Sequence, residues 1–260
     1  MDFGSIPSRV KARLRQEAAA RLARRPLLMR NAEPLVSFTF DDFPRSALWE
    51  GGAILQAHGV AGTFFTSFGL MGRVGPTGEM FSAVDLNELA RQKHEIGCHT
   101  YDHYHAWDTA AADFEASIIR NREALSKHMP GVHFRTFSYP ISSPRPRIKR
   151  RTGQYFACCR GGGQSYNLGT ADLSNLAAFF IEQSRDNFDA IERLIENNAS
   201  QRGWLIFATH DVSKSPTQFG CTPSMLEKIV RRALRTGARA LSISKALQLV
   251  TGADSQQRDA

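Results

Sequence analysis

From Val36 to the C terminus, short runs of β-branched and aromatic residues alternate with segments whose apolar residues recur at helical spacing. LVSFTF, VAGTFFTSF, EIGCHT, FRTFSYP, QYFACC, AAFFIEQ, WLIFATHDV and ALSIS read as strands. Between them SALWEGGAILQAHG, AVDLNELARQKH, a segment carrying Phe114, Ile118 and Leu125, NFDAIERLIENNASQ and PSMLEKIVRRALRTG read as helices. Such alternation predicts an α/β chain whose strands run parallel with helices crossing over between them, either a barrel or a doubly wound sheet. In both, chemistry gathers where strands end. Asp41, His99, Tyr139 and His210 all stand at such ends.

The flanks differ from this body. Ser8 to Arg25 predicts a helix with Val10, Leu14, Ala18 and Leu22 on one stripe, ended by Pro26. Residues 1–31 hold eight Lys/Arg against two acids, and PRPRIKRR (144–151), read as a loop, holds five more basic residues. The formal net charge of +8 therefore belongs to an arm and a loop, where it favours anionic partners such as lipid headgroups, nucleotide-sugars or nucleic acid. Expected segments are a basic helical arm at 1–31, one catalytic domain at 32–250 and a polar tail at 251–260. No apolar run is long enough to cross a bilayer, and the first residues lack the apolar stretch of a secretory signal. Cys98, Cys158, Cys159 and Cys221 contain no C-x-x-C pair and are expected to stay reduced. These features predict a cytoplasmic protein, with peripheral membrane contact through the arm.

Four short stretches carry chemistry. TFDDF ends a buried strand with two adjacent carboxylates, Asp41 and Asp42; GCHTYDHYH places His99 and His103 four residues apart, with His105 nearby. Alone, each has an ordinary explanation, since acids cap helices and surface histidines are common. Together, two histidines and one carboxylate make a three-ligand set that leaves a position open for water, as catalytic zinc sites require. One aspartate would hold the metal and its neighbour would take a proton. LIFATHD delivers His210 to a strand end, where a histidine can act as a general acid. FRTFSYPIS runs into an X-Pro turn able to aim a backbone N–H at a developing oxyanion.

The order TFDD, H-T-x-x-H, F-S-Y-P and L-I-F-A-T-H resembles the polysaccharide deacetylases of carbohydrate esterase family 4, the NodB-homology domain, from about Val36 to Val250. The resemblance implies a distorted (β/α) barrel with fewer than eight complete strands and metal-dependent hydrolysis of an N-acetyl group on an amino sugar. It implies Asp41 as the catalytic base, Asp42, His99 and His103 as ligands of one divalent ion (zinc, or cobalt or another), and His210 as the general acid. The substrate it implies is an N-acetylated sugar, polysaccharide or precursor, in bacterial surface polysaccharide biosynthesis. The third motif departs from the common R-P-P-Y-G pattern, so the oxyanion donor is the N–H of Tyr139 or of Ile141. The residue tuning Asp41 is Arg135 or Arg185. Two other readings stand beside this one: an amidase or O-acetyl esterase using the same site, and an anionic-surface binding module using the arm. A glycosidase is disfavoured because its two carboxylates must flank a sugar, which adjacent residues rarely do. No nucleic-acid fold signature is present.

Overall fold

The structure, a computed structural model, describes residues 8–141 and 143–252. Seven parallel strands close into a barrel: β1 (Leu35–Phe40), β2 (Thr63–Thr66), β3 (Glu95–Cys98), β4 (Thr136–Ser138), β5 (Cys158–Gly163), β6 (Leu176–Phe180) and β7 (Trp204–Thr209). Closure comes from β7 pairing with β1 in register from Trp204↔Leu35 to Thr209↔Phe40. On its other side β1 pairs with β2 at Thr39 and Phe40, and with a two-residue strand β8 (Arg239–Ala240) at Leu35 and Val36. The expected distorted barrel with fewer than eight complete strands is the observed one.

The period-2 alternation of strands sorts each face. Val36, Phe38 and Phe40 point outward into the layer between barrel and helices, where Phe40 stacks on Phe64 at 4.6 Å. Leu35, Phe65, Trp204, Ile206 and Ala208 fill the interior instead. Phe65 occupies the space over Gly97, where a Cβ would come within 2.4 Å of its ring. Crossover helices are α2 (Ala53–Ala57, entered through a π-turn at Ala47–Gly52), α3 (Ala83–Arg91), α4 (Ala111–His128), α6 (Phe188–Gln201) and α7 (Pro223–Arg235). The lower mouth of the barrel is sealed by α8 (Ile243–Thr251), whose Ile243, Ala246, Leu247 and Val250 join the interior cluster.

Four expectations shift. QYFACC is strand only in its last two residues, and the pairing runs on through Gly163. ALSIS is strand only at its first residue; Ile243, Ala246, Leu247 and Val250 repeat at helical spacing and α8 begins. PRPRIKRR contains a helix, α5 (Pro146–Thr152), not a loop. Pro146 fits the first helical turn, and the spacing turns Ile148 and Lys149 inward while Arg147 and Arg150 stay outside. The N-terminal helix α1 (Ser8–Arg21) stops short of Arg25, and its apolar stripe is not its packing face: Val10, Leu14 and Leu22 are 46–57% exposed, whereas Ala19 is buried.

What holds α1 is Lys149. Its buried Nζ donates to the carbonyls of Ala19 (2.6 Å) and Leu22 (2.8 Å) at the end of that helix, and to Asp172 Oδ2 at 2.6 Å. A cation there meets the negative end of the helix dipole. Pro26–Leu28 then pairs antiparallel with Thr170–Asp172, and Arg25 bonds the carbonyls of Gly153, Ala157 and Leu173. The basic segment is thus packed on the barrel. No described helix is long and apolar enough to cross a membrane. Residues 253–260 of the expected tail lie outside the described residues.

Candidate active site

The inward positions at the upper strand ends bring the chemistry together. Asp41 follows β1, His99 follows β3, Ser138 ends β4, Arg160 lies in β5 and His210 follows β7. A cavity of about 1180 Å³ opens above them, lined by Asp41, Asp42, His99, His103, Tyr139, Ile141 and His210 among others.

Asp42, His99 and His103 each offer one ligand atom, all within 4.8 Å of one another. Asp42 Oδ1 lies 3.0 Å from His103 Nε2 and 3.6 Å from His99 Nε2. Yet this buried oxygen makes no hydrogen bond of acceptable geometry. His99 Nδ1 sits 2.8 Å from the Ser138 carbonyl, which fixes the proton on Nδ1 and leaves the Nε2 lone pair facing Asp42. Burial brings the His99 pKa down to about 4, so the ring is neutral at physiological pH. Burial opposes the charge of Asp42 too, but His103 and His99 outweigh it and hold the carboxyl below its ordinary value. An orphaned carboxylate oxygen, an oriented neutral imidazole and a second imidazole fit a divalent ion of the zinc type. His105 instead packs its Nδ1 3.4 Å from Asp108.

The neighbouring carboxylate is held differently. Asp41 receives Arg160 Nη2 on both oxygens, at 2.5 Å on Oδ2, and Ser138 Oγ at 3.3 Å. Burial would raise its pKa, but Arg160, then His99 and His210, keep it below the ordinary carboxylate value. Arg160 is the tuning cation that the sequence reading missed. Of the two arginines expected there, Arg135 is exposed behind β4, and Arg185 donates to the carbonyls of Thr217, Gln218 and Gly220 at 2.8–3.2 Å. Arg185 therefore braces the loop carrying Phe219, whose carbonyl lies 3.2 Å from His210 Nδ1. That contact leaves His210 Nε2 as the ring's other nitrogen, on a half-buried residue lining the cavity.

The X-Pro turn separates its two candidates. The Tyr139 N–H already donates to the Arg160 carbonyl at 3.1 Å, and its phenol donates to the Ser174 carbonyl. Ile141, at φ 65° and 64% exposed, stands one residue past Pro140 in the cavity wall. Five of the nine described non-glycine residues with positive φ belong to the loops around this site: Asp42, Phe43, Thr100, His103 and Ile141. Each such conformation costs about 1–3 kcal/mol and persists because surrounding packing enforces it. Phe43, for example, is clamped between Phe64 and Phe81. Two further features were not foreseen. A hairpin at residues 74–79 overhangs the site, where Thr77 Oγ1 reaches Asp42 Oδ2 at 3.4 Å, and α1 supplies Arg15, Gln16 and Glu17 to the cavity wall.

Residues 29–155 match the family model described as Polysaccharide deacetylase. No curated protein matches the sequence. Among solved structures, the Bc1960 peptidoglycan N-acetylglucosamine deacetylase is similar with a TM-score of 0.61 and 19% identity, over 85% of this chain and 92% of that one. The chitin deacetylase from the fungal pathogen Colletotrichum lindemuthianum gives a TM-score of 0.60 and 17% identity, over 86% and 92%. BA3943 from Bacillus anthracis, described as a pseudoenzyme of carbohydrate esterase family 4, gives 0.54 and 13%, over 85% and 68%. Identities this low establish the fold and not the activity. Family match, strand-end motifs and barrel agree: residues 29–155 match the polysaccharide deacetylase family, and the barrel as a whole has the fold of deacetylases of that kind.

Proposed function

We propose that this protein hydrolyses the acetamide of an N-acetylated amino sugar, in a polysaccharide or its precursor, with one divalent ion at Asp42, His99 and His103. Zinc suits the donor set best, and the setting we favour is bacterial surface polysaccharide biosynthesis. The observation that carries the reading is the pairing of two adjacent carboxylates with opposite surroundings. Asp42 turns an unbonded oxygen toward two imidazoles, while Asp41 is locked to Arg160 and Ser138.

A divalent ion in this site supplies Lewis-acid polarisation of the acetamide carbonyl and of the attacking water. The rest falls to the chain. Asp41, kept ionised by Arg160, is the base that takes the proton from that water. His210, oriented through Nδ1 by the Phe219 carbonyl, gives a proton from Nε2 to the leaving amine. The Ile141 N–H is the oxyanion donor, since that of Tyr139 is spent on Arg160. The exposed stripe of Val10, Leu14 and Leu22 beside basic residues supports membrane-surface contact through α1.

Acetate release from tri-N-acetylchitotriose and from an O-acetylated xylan oligomer, with zinc or cobalt and with chelator, tests the reading. It expects metal-dependent release from the amide substrate. Release from the ester alone would replace it with the O-acetyl esterase reading, and release from neither would end both.

A further inference from the structure

The mouth of the active cavity has two rims, and both turn apolar side chains toward solvent. On α1, Ala12, Gln16 and Ala20 line the cavity, Ala19 is buried, and Val10 and Leu14 are exposed. An ordinary amphipathic helix packs its larger apolar residues on the core; α1 packs small ones there and turns Val10 and Leu14 away. The second rim is the hairpin at residues 74–79. Its Gly75, Pro76 and Thr77 line the cavity, and Val74 beside them is 82% exposed. The rims come from different parts of the barrel. The hairpin follows β2, whereas α1 is latched to Lys149 of α5, between β4 and β5. Among the described residues, α8 at the lower end carries no large exposed apolar side chain.

Charge follows the same two rims. Arg13 on α1 and Arg73 next to Val74 are exposed, and Arg147 and Arg150 stand outward on α5, which packs against α1. The acids of the rims are already paired: Glu17 with Arg21 at 2.9 Å and Glu79 with Arg45 at 3.0 Å. Asp108, in the loop beside α1, is paired with Arg15 at 3.0 Å. Positive charge is therefore in excess where the apolar side chains project. Apolar residues flanked by arginines suit the boundary of an anionic bilayer, the first among acyl chains and the guanidinium groups at the phosphates. Two separate projections bordering an open cavity do not make the continuous, shape-matched patch that a protein partner buries. A fluid bilayer fits both.

We propose that the face carrying the cavity mouth docks on an anionic phospholipid bilayer through both rims, α1 and the 74–79 hairpin, so that the cavity opens onto the headgroup layer. This goes beyond contact through α1, because a second contact across the mouth fixes which way the site faces. The helix that walls the cavity is then also the helix that meets the lipid. An acetamide held at the bilayer surface is presented at the mouth. The docking stands without the deacetylase reading; only its effect on the rate rests on that reading.

The four native cysteines are buried, so a cysteine introduced at an exposed position takes an environment-sensitive fluorophore selectively. Leu14→Cys on α1, Val74→Cys on the hairpin and Lys245→Cys on α8 would each be labelled in the full-length protein. Each would be titrated with vesicles of phosphatidylglycerol or of phosphatidylcholine. Expected is a blue shift at positions 14 and 74 with phosphatidylglycerol, none at 245, none with phosphatidylcholine, and reversal by high salt. In unlabelled protein, Leu14→Asp and Val74→Asp should each weaken vesicle binding about 10-fold, the scale of one partly buried apolar side chain. Acetate release from soluble N-acetylglucosamine should stay unchanged in both. Arg73→Gln should weaken vesicle binding about 5-fold. The metal-loaded wild type should release acetate faster from lipid-anchored N-acetylglucosamine in phosphatidylglycerol vesicles than in phosphatidylcholine vesicles. A shift at position 14 alone, an equal shift at 74 and 245, or none at all overturns the inference. So does a shift that grows with protein concentration without vesicles, which would make this face a contact between copies. Equal release from the two kinds of vesicle overturns it as well, by denying that the cavity opens onto the surface. If no acetate is released from any sugar, the deacetylase reading fails and the fluorescence decides the docking.

Discussion

The two ends of this barrel are built to opposite rules. At the lower end most polar groups are met: Trp204 Nε1 donates to Ser37 Oγ at 3.0 Å, Ile243 N–H to Thr63 Oγ1 at 3.0 Å, and Glu95 accepts from Thr63, Thr136 and Ser244, with Asn198 Oδ1 beside Gly203 the exception. Apolar side chains of α8 close the rest. At the upper end Asp41, Asp42, His99 and Arg160 are buried together, Asp42, Asn175 and Glu182 keep oxygens without partners, and backbones run at positive φ. The lower end favours burial and satisfaction, with Lys93 and Arg202 at positive φ; the upper end concentrates strain and unmet atoms that a ligand can repair. Stability is stored below and spent above.

Arg160→Met should break this contrast most severely, because it leaves Asp41 buried without its cation. The expected loss at pH 7 is about 3–5 kcal/mol in chemical denaturation, together with a large fall in turnover. The sign with pH follows from the direction of the shift. In the wild type Asp41 is held below its ordinary value, so its charge adds stability above about pH 4 and that contribution is lost as pH falls further. Without Arg160, burial is opposed only by His99 and His210, and the carboxyl rises. The variant's deficit should therefore shrink as pH drops from 7 toward 4. An equal deficit at both pH values would remove Arg160 from the account of Asp41.

Ile206→Ala, in the lower interior, should cost about 2–4 kcal/mol by leaving a cavity, while the rate per folded molecule stays at wild type. A matching loss of kcat in the folded fraction would show that the two ends are coupled. The smallest effect concerns the outer face of α1. Leu14→Asp should reduce co-sedimentation with anionic phospholipid vesicles at low salt, with acetate release from soluble sugars unchanged. Unaltered vesicle binding would dismiss the stripe as a membrane surface.

How much of this was legible in the sequence divides along the same line. The strands and the three-ligand set were readable because apolar runs of period 2 end in residues that have no business in a core. That rule was applied after β1, β3, β4 and β7. Applied to β5 and β6 it would have picked Arg160, which follows FACC, and Glu182, which follows AAFFI. Lys149 was hidden for a different reason. A run of five basic residues reads as solvated, and only the helical turn of α5 reveals that one of them points inward to hold α1. The two oxyanion candidates were inseparable in sequence, because which N–H is spent depends on the pairing of β4 with β5.

The central claim is that adjacent carboxylates at the top of β1 have separate tasks, and two isosteric substitutions test it most directly. Asp41→Asn and Asp42→Asn would each be purified, assayed for bound zinc, and assayed for acetate release with and without excess metal. At position 41 the account predicts retained metal and a rate lowered on the order of 10²–10⁴, not recovered by excess zinc, because no group then accepts the proton. At position 42 it predicts weakened zinc binding with activity partly recovered by excess metal, because a carboxamide oxygen is a poorer ligand. Loss of metal from Asp41→Asn with retention by Asp42→Asn would contradict the assignment, and full metal and full activity in both would place the chemistry elsewhere.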